Sequence, residues 1–444
     1  MKIAVHPQDY VAGKGACFRN MDLRNPQLGN PGIGGTEYQF VMLSYALVNF
    51  SDCEVNLYCR EGSNIYPDGV KVHTYRDNSE LIEQVKADGN DIFILIASEE
   101  PDSVDIYNRA RDAGINIIAW VHNFMGAKLL RILDTNQAVK RIVMVSHENY
   151  DHYLDHPAIA KSAYIYCMCD GKRFKLREYP QEPSVTYTGG LYKLKGFHVL
   201  ASMWKDILTE VPRAKLYVVG SGRLYVKDAK LGSYGLADEE YEPMFMKYLT
   251  DESGKIIPSV KFLGTLGAEK SEIYYKTTVG VVNPTGLTEN LAMSAVDMEA
   301  CGVPVVTRAV SGLFEAVHHG ETGFLGYNLE EIKKYIILLL KDKELNLRLG
   351  RNAKDHAEKT FSPEVVVKQW LKLFDDVLDN RPCEYIPPTL HNTGHKRLKI
   401  FNRWLRTHHI PTIPVVTLIS VVKDTARKLL PWPYAVIKKI LGRP

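Results

Sequence analysis

Cysteine is scarce in this chain: seven in 444 residues, at positions 17, 53, 59, 167, 169, 301 and 383, with no Cys-x-x-Cys pair and no Cys/His array. That set argues against a disulfide scaffold and a thiolate metal centre, and fits reduced thiols in a reducing compartment. The nearest two, Cys167 and Cys169, are expected to alternate faces on a strand as packing residues. Long apolar runs are lacking as well. No stretch reaches the ~18 apolar residues that span a bilayer. The opening MKIAVHPQDY has no apolar signal segment and reads as a first strand, so a cytoplasmic location is expected. The glycine cluster GNPGIGGTEYQF at 29–40 lacks the G-x-G-x-x-G spacing of dinucleotide-dependent dehydrogenases. A repeat of solenoid period is also missing.

What is present is a long, ordinary globular composition, 45% hydrophobic and 24% charged, with a formal charge of +3. The charge is unevenly placed. Residues 395–444 hold eleven Lys and Arg against Asp424 alone, which leaves the preceding 394 residues at −7. Short β-branched runs alternate with helical patterns, the mark of parallel α/β architecture. The first set comprises KIAVH (2–6), EVNLYC (54–59), DIFILIA (91–97), NIIAWVH (116–122) and RIVMVS (141–146). A second begins after YPQEPS and runs through SVTYTGG (184–190), AKLYVVG (214–220), VKFLG (260–264), TTVGVVNP (277–284) and VPVVTR (303–308). Two Rossmann-like, doubly wound domains follow, 1–180 and 181–360, with the first closed by a helix at 362–380 that starts at Ser362 and Pro363. A tail occupies 381–444. Ligands of such sheets sit beyond the carboxyl ends of the strands, so the expected site is the cleft between the domains.

The stretch TENLAMSAVDMEACGVPVV (288–306) places Glu289 and Asp297 eight residues apart. A helix from about Leu291 to Ala300 would set the two carboxylates about 80° apart, with Asn290 and Leu291 at its open, anion-attracting start. The alternative is a buried helix carrying two unrelated carboxylates. The stretch resembles the E-x7-E signature of the GT-B glycosyltransferases, in particular the retaining family 4 (glycosyl transferases group 1), with Asp297 in place of the second Glu. Gly312, Glu315, Gly320 and Gly323 in CGVPVVTRAVSGLFEAVHHGETGFL (301–325) stand where that family has its downstream residues. YTGGLYKLKGFHVLASMWKDILTE (187–210) is similar to the strand, loop and helix that open the family's nucleotide domain. There Gly189 and the Lys195-Gly196 pair match, while Gly190 replaces the usual Arg. Arg173 and Arg223 are the candidates for making good the lost charge. The loop with Gly34, Gly35 and Glu37 resembles the family's first loop, and a tight strand-to-helix turn is the plainer reading of it. His122, ending NIIAWVH, matches a family histidine at a strand tip. Ser146 resembles a structural Val-Ser turn, and CMCDGKRF (167–174) a hinge.

The resemblance implies a GT-B fold and transfer of a sugar from a nucleoside diphosphate sugar with retention and no metal or other cofactor. Glu289 would hold the donor sugar, Asp297 the ribose (Glu299 being the weaker substitute), Lys195 the diphosphate, and His122 the reacting centre. Gly34, Gly35, Gly189, Asn290 and Leu291 complete the donor contacts. The other readings are a catalytically degenerate sugar-nucleotide-binding scaffold and a nucleotide-sugar epimerase. In the tail, Trp404 and Trp432 lie among basic and aliphatic residues. That mixture suits an interfacial helix on an anionic membrane, and a helix pair packed on the body is the alternative. A saccharide or lipid-linked acceptor at the inner face of a membrane follows from the basic tail, in polysaccharide biosynthesis. No nucleic-acid module is present.

Overall fold

Lys2–His6 carries an unbroken apolar run because both faces of the sheet it belongs to are covered. Ile3 and Val5 enter one hydrophobic cluster and Ala4 the other. The same alternation divides Ile92 and Ile94 from Phe93 and Leu95, and Ile118 and Trp120 from Ile117 and Ala119. Each such Val, Leu, Ile or Phe taken out of water contributes about 1.5–3 kcal/mol, so nearly every position of these three strands is committed to a core. This is one computed structural model, which describes residues 1–11, 15, 16, 18, 21–60, 65–223, 230–389, 391 and 393–429. Cys17 and Trp432, with the end of the basic tail, lie outside the described residues.

The first sheet is parallel and has seven strands, in the order Lys71–Thr74, Glu54–Cys59, Lys2–His6, Ile92–Ile96, Ile117–Val121, Val139–Met144 and Ser162–Tyr164. Val5 pairs with Leu57 on one side and Ile94 on the other. The second sheet, also parallel, repeats the winding with six strands: Val260–Gly264, Lys215–Val219, Ser184–Thr188, Val279–Val281, Val305–Arg308 and Gly323–Gly326. In each, the chain reverses direction between the first strand and the fourth, and the crevice that opens there is the standard ligand position. The two switch points face one another.

Three edge strands escape the sequence pattern. Lys71–Thr74 and Ser162–Tyr164 are short, and Lys71–Thr74 is largely exposed, so neither carries an apolar run. Gly323–Gly326 begins and ends on glycine and carries only two apolar side chains, Phe324 and Leu325, so no strand run marks it. Cys167 and Cys169 were expected on a strand. They lie instead in the irregular segment after Ser162–Tyr164, and both thiols are buried where the two domains meet. Ser146 caps the helix His147–Asp151 by accepting the Asn149 N–H at 3.1 Å.

The helix Pro363–Leu378 crosses back to the first domain and sets Trp370 edge-on against Trp120, 5.1 Å between ring centres. Ser362 holds its N-cap position without a side-chain bond. Beyond it the chain forms two tail helices, Thr393–Thr407 and Val415–Leu429. Lys396 reaches Glu148 at 2.6 Å and Asp151 at 2.8 Å, and Asn402 donates to Asp155 at 2.8 Å. The described tail is thus packed on the first domain by one face. Its other face leaves Leu398, Phe401, Trp404, Val421 and Val422 exposed. Among the described residues no helix is long and apolar enough to cross a membrane.

Candidate functional site

A cleft of about 1180 Å³ runs between the carboxyl edges of the two sheets. The first domain contributes Gly35, Glu37, His122 and Asn123; the second contributes Gly189, Lys193, Lys195, Lys270, Glu289 and Asp297. Asn290 and Leu291 also line it. Gly34 does not: it caps the helix Gly35–Phe50, and the Glu37 carboxylate folds back over it, so that an added Cβ would meet Oε2 at 2.0 Å. The loop before that helix is braced by Asn30, whose Oδ1 accepts the N–H groups of Gly32 and Ile33 at 2.8 and 2.9 Å.

Glu289 is not on a helix. The helix starts at Met293, and Thr288 precedes Glu289 in a left-handed conformation, φ +57°. The angular relation expected between Glu289 and Asp297 therefore does not apply. The later start has a local cause. Asn283, at φ +38°, donates to Leu287 O at 2.8 Å and to Glu289 Oε2 at 2.7 Å, and its Oδ1 accepts from Gly286 N–H at 3.1 Å. One amide thus holds the whole loop out of the helix. Two N–H groups of the first turn are also occupied: Met293 donates to Leu291 O and Ala295 to Ala292 O.

Lys195 donates to Glu289 Oε2 at 2.6 Å, and both side chains are largely buried. Gly196 makes this possible. At φ +75° it turns the chain sharply into the helix Phe197–Glu210, and a Cβ there would strike Thr285 at 2.5 Å. Gly312 serves the opposite side of the same loop, where a Cβ would come within 1.6 Å of Asn290 O.

Asp297 faces Lys270, whose ammonium donates to Oδ2 at 2.6 Å. Burial is the largest single influence and opposes the charge on Lys270, but Asp297, Tyr274 and Cys169 together raise its pKa above the ordinary lysine value. Sequence reading missed Lys270, since nothing in AEKSEIYY singles out a lysine whose partner is 27 residues away. Asn283 was missed too, although Asn-Pro at a strand end is a turn signal. Glu299 points away from the cleft and binds His356 at 2.8 Å and Thr322 at 2.6 Å. Arg173 pairs with Asp170 at 3.2 Å beside the hinge, and Arg223 is exposed at a turn. Neither lines the cleft; among the described residues the lysines and arginines that do are Lys193, Lys195 and Lys270.

His122 packs against Trp120 and Phe40, and its Nε2 has no hydrogen-bond partner among the described residues. Burial lowers its pKa to about 3, so the ring is neutral near pH 7. Its carbonyl accepts from Asn290 Nδ2 at 2.8 Å, a bond that ties the two walls of the cleft together. The site therefore presents two lysine–carboxylate couples on one wall and a neutral imidazole, the Glu37 carboxylate and glycine backbone on the other.

Residues 170–356 match the sequence model of a family described as glycosyl transferases group 1. A D-inositol 3-phosphate glycosyltransferase of Corynebacterium jeikeium is 29% identical over 195 residues, 44% of this chain and 43% of that protein. The chain thus aligns with less than half the length of that relative. An uncharacterized glycosyltransferase of Haemophilus influenzae is 25% identical over 334 residues, 72% of this chain and 85% of the relative. Among solved structures, Anabaena HepE in complex with UDP-glucose superposes with a TM-score of 0.61 at 15% identity, over 85% of this chain and 100% of that one. Sucrose-phosphate synthase from Thermosynechococcus elongatus does so with 0.60 at 17%, over 86% and 100%. Strand order, facing switch points and these superpositions agree: the protein has the GT-B fold, and its residues 170–356 match the glycosyl transferases group 1 family.

Proposed function

We propose that the protein transfers a sugar from a nucleoside diphosphate sugar to a saccharide or lipid-linked acceptor, with retention at the anomeric carbon and without a metal. The observation that carries the reading is the second domain's wall of the cleft, where Lys195–Glu289 and Lys270–Asp297 couples line one cavity of about 1180 Å³. Lys193 and Lys195 on that wall give a diphosphate its counter-charge. Glu289, held by Lys195 and Asn283, presents an acceptor for sugar hydroxyls, and such charge-assisted bonds are worth about 1.5–3 kcal/mol each. UDP or UDP-glucose occupies structures of the similar protein HepE, which supports a nucleotide sugar here.

In the proposed reaction the bond from the anomeric carbon to the diphosphate oxygen breaks, and the bond to the acceptor hydroxyl oxygen forms on the same face. The acceptor's proton passes to the departing phosphate oxygen. His122, neutral, borders the reacting carbon from the first domain without adding a charge that would oppose an oxocarbenium-like centre. The outward tail face, with exposed Phe401, Trp404 and Arg397, would rest on an anionic membrane and bring a lipid-linked acceptor close.

The test is thermal unfolding against UDP, GDP, ADP, CMP and their sugars, followed by a transfer assay with whichever sugar binds. At 100 times its dissociation constant a ligand adds about 2.7 kcal/mol, and a selective upward shift is expected. No shift with any member would overturn the donor assignment. The anomer of the product, read by NMR coupling, checks retention. For the membrane, Trp404→Glu should abolish co-sedimentation with anionic vesicles while leaving unfolding unchanged; undiminished binding would overturn that part.

A further inference from the structure

Lys270 is more than nine-tenths buried, yet it lines the cleft. Of its three N–H groups, one is used among the described residues, on Asp297 Oδ2 at 2.6 Å. A buried ammonium with open N–H groups costs stability unless acceptors reach it. Its stem lies at the seam of the two domains, where a Cβ on Gly29 would sit 3.9 Å from Lys270 Cε.

The charge pattern selects the ligand. A phosphate at this position would gain the ammonium but meet the buried Asp297 carboxylate at once. A vicinal diol fits better, because each hydroxyl both gives and accepts a hydrogen bond. One hydroxyl can donate to the carboxylate while its neighbour's oxygen accepts from the ammonium.

We propose that Lys270 is a specificity-determining residue of the donor subsite, forming with Asp297 a donor–acceptor couple that reads the ribose diol of a nucleoside diphosphate. The assignment rests on the donor reading given above. It makes the enzyme discriminate ribo- from deoxyribonucleotides through a lysine on a different element from the acidic pair at 289 and 297.

The experiment measures dissociation constants of UDP, GDP and ADP, and of their 2′-deoxy and 3′-deoxy forms, for the full chain and for Lys270→Met, Lys270→Arg and the double variant Lys270→Met/Asp297→Asn. The double variant leaves no buried charge unpaired, so it reports even if the single methionine variant folds poorly. The wild type should prefer the ribonucleotide by roughly tenfold or more over at least one deoxy form. In the methionine variants that ratio should collapse toward one, and arginine should restore part of it. A ratio unchanged by Lys270→Met and by the double variant would overturn the role of Lys270 while leaving the donor site standing. A wild type that binds none of the three nucleotides would overturn the donor reading itself, and this assignment with it.

Discussion

The two domains wind their sheets alike, with strands in the order 3-2-1-4-5-6 from one edge, but they furnish the cleft differently. Among the described residues the second supplies every lysine on the cleft wall and both carboxylates of the lysine couples. The first supplies a braced glycine loop and a histidine kept neutral by burial. Topology decides where a site opens, since both sheets place their switch points at its mouth. It does not decide what the site binds. That depends on the side chains at the loop ends, and the ionic chemistry has been concentrated on one wall.

The largest effect should come from removing that concentration. Lys195→Met or Glu289→Gln is expected to lower transfer at least about a hundredfold, by loss of charge stabilisation at the departing diphosphate or of the sugar contact. Each single change also leaves a mostly buried charge alone, a loss of about 3–5 kcal/mol in a fully buried pair. The double variant should recover stability without recovering rate. A double-mutant cycle in which rate and stability recover together would show that the couple is structural only. The first domain has no counterpart: a change at Gly35 should lower transfer far less, because a Cβ there meets nothing within 4 Å.

How much of this could be read beforehand follows the same division. Continuous apolar runs such as IFILI marked the strands of both sheets, because a strand buried on two faces has no polar positions to hide it. The edge strand Lys71–Thr74 was illegible because its residues face solvent. Glu289, Asp297 and Lys195 stood out through their flanking glycines and prolines. The loop that carries Glu289 did not, because its shape is set by one amide, Asn283, whose side-chain bonds override the helical tendency of ENLAMSAVDMEA. Lys270 stayed hidden for a different reason: ion pairing across 27 residues leaves no local trace. In the tail the apolar, basic composition admitted both a packed helix pair and an interfacial one. The structure shows that the helices divide it between faces, Lys396 turned inward to Glu148 and Phe401 outward.

A smaller effect would test how far the two walls act together. Asn290 belongs to the second domain, and its Nδ2 donates to His122 O of the first. Asn290→Ala removes that bond without touching a charge. As a positioning residue it should lower kcat by roughly tenfold, the equivalent of about 1.4 kcal/mol, while leaving the donor KM nearly unchanged. Equal losses in affinity and rate would mean that Asn290 contacts the donor directly, and that the bridge to His122 is incidental.

The last comparison concerns pH, where a group from each domain pulls in the opposite direction and the net effect in the wild type is small. Glu315, in the second domain, accepts the N–H groups of His147 and Glu148 at 2.8 and 2.7 Å, capping a helix of the first. Burial nevertheless raises its pKa from 4.5 to about 7. Between those values the folded chain holds a proton that the unfolded chain has released, so this group's stabilisation is full below about pH 4.5 and fades as pH rises through about 7. His122 has the reverse sign. Burial lowers it from 6.5 to about 3, so its neutral folded form costs stability as pH falls below 6.5. Over the shared range the two slopes, each at most about 1.4 kcal/mol per pH unit, largely cancel. Glu315→Gln should unmask the histidine, and the variant's stability should climb more steeply from pH 4.5 to 7 than that of the wild type. Other buried histidines titrate in the same range, but they are common to both proteins and drop out of the difference. Parallel denaturation curves for the two proteins at each pH would show that the interdomain cap stays ionised throughout, and that its three hydrogen bonds, including the one from Tyr166, overcome its burial.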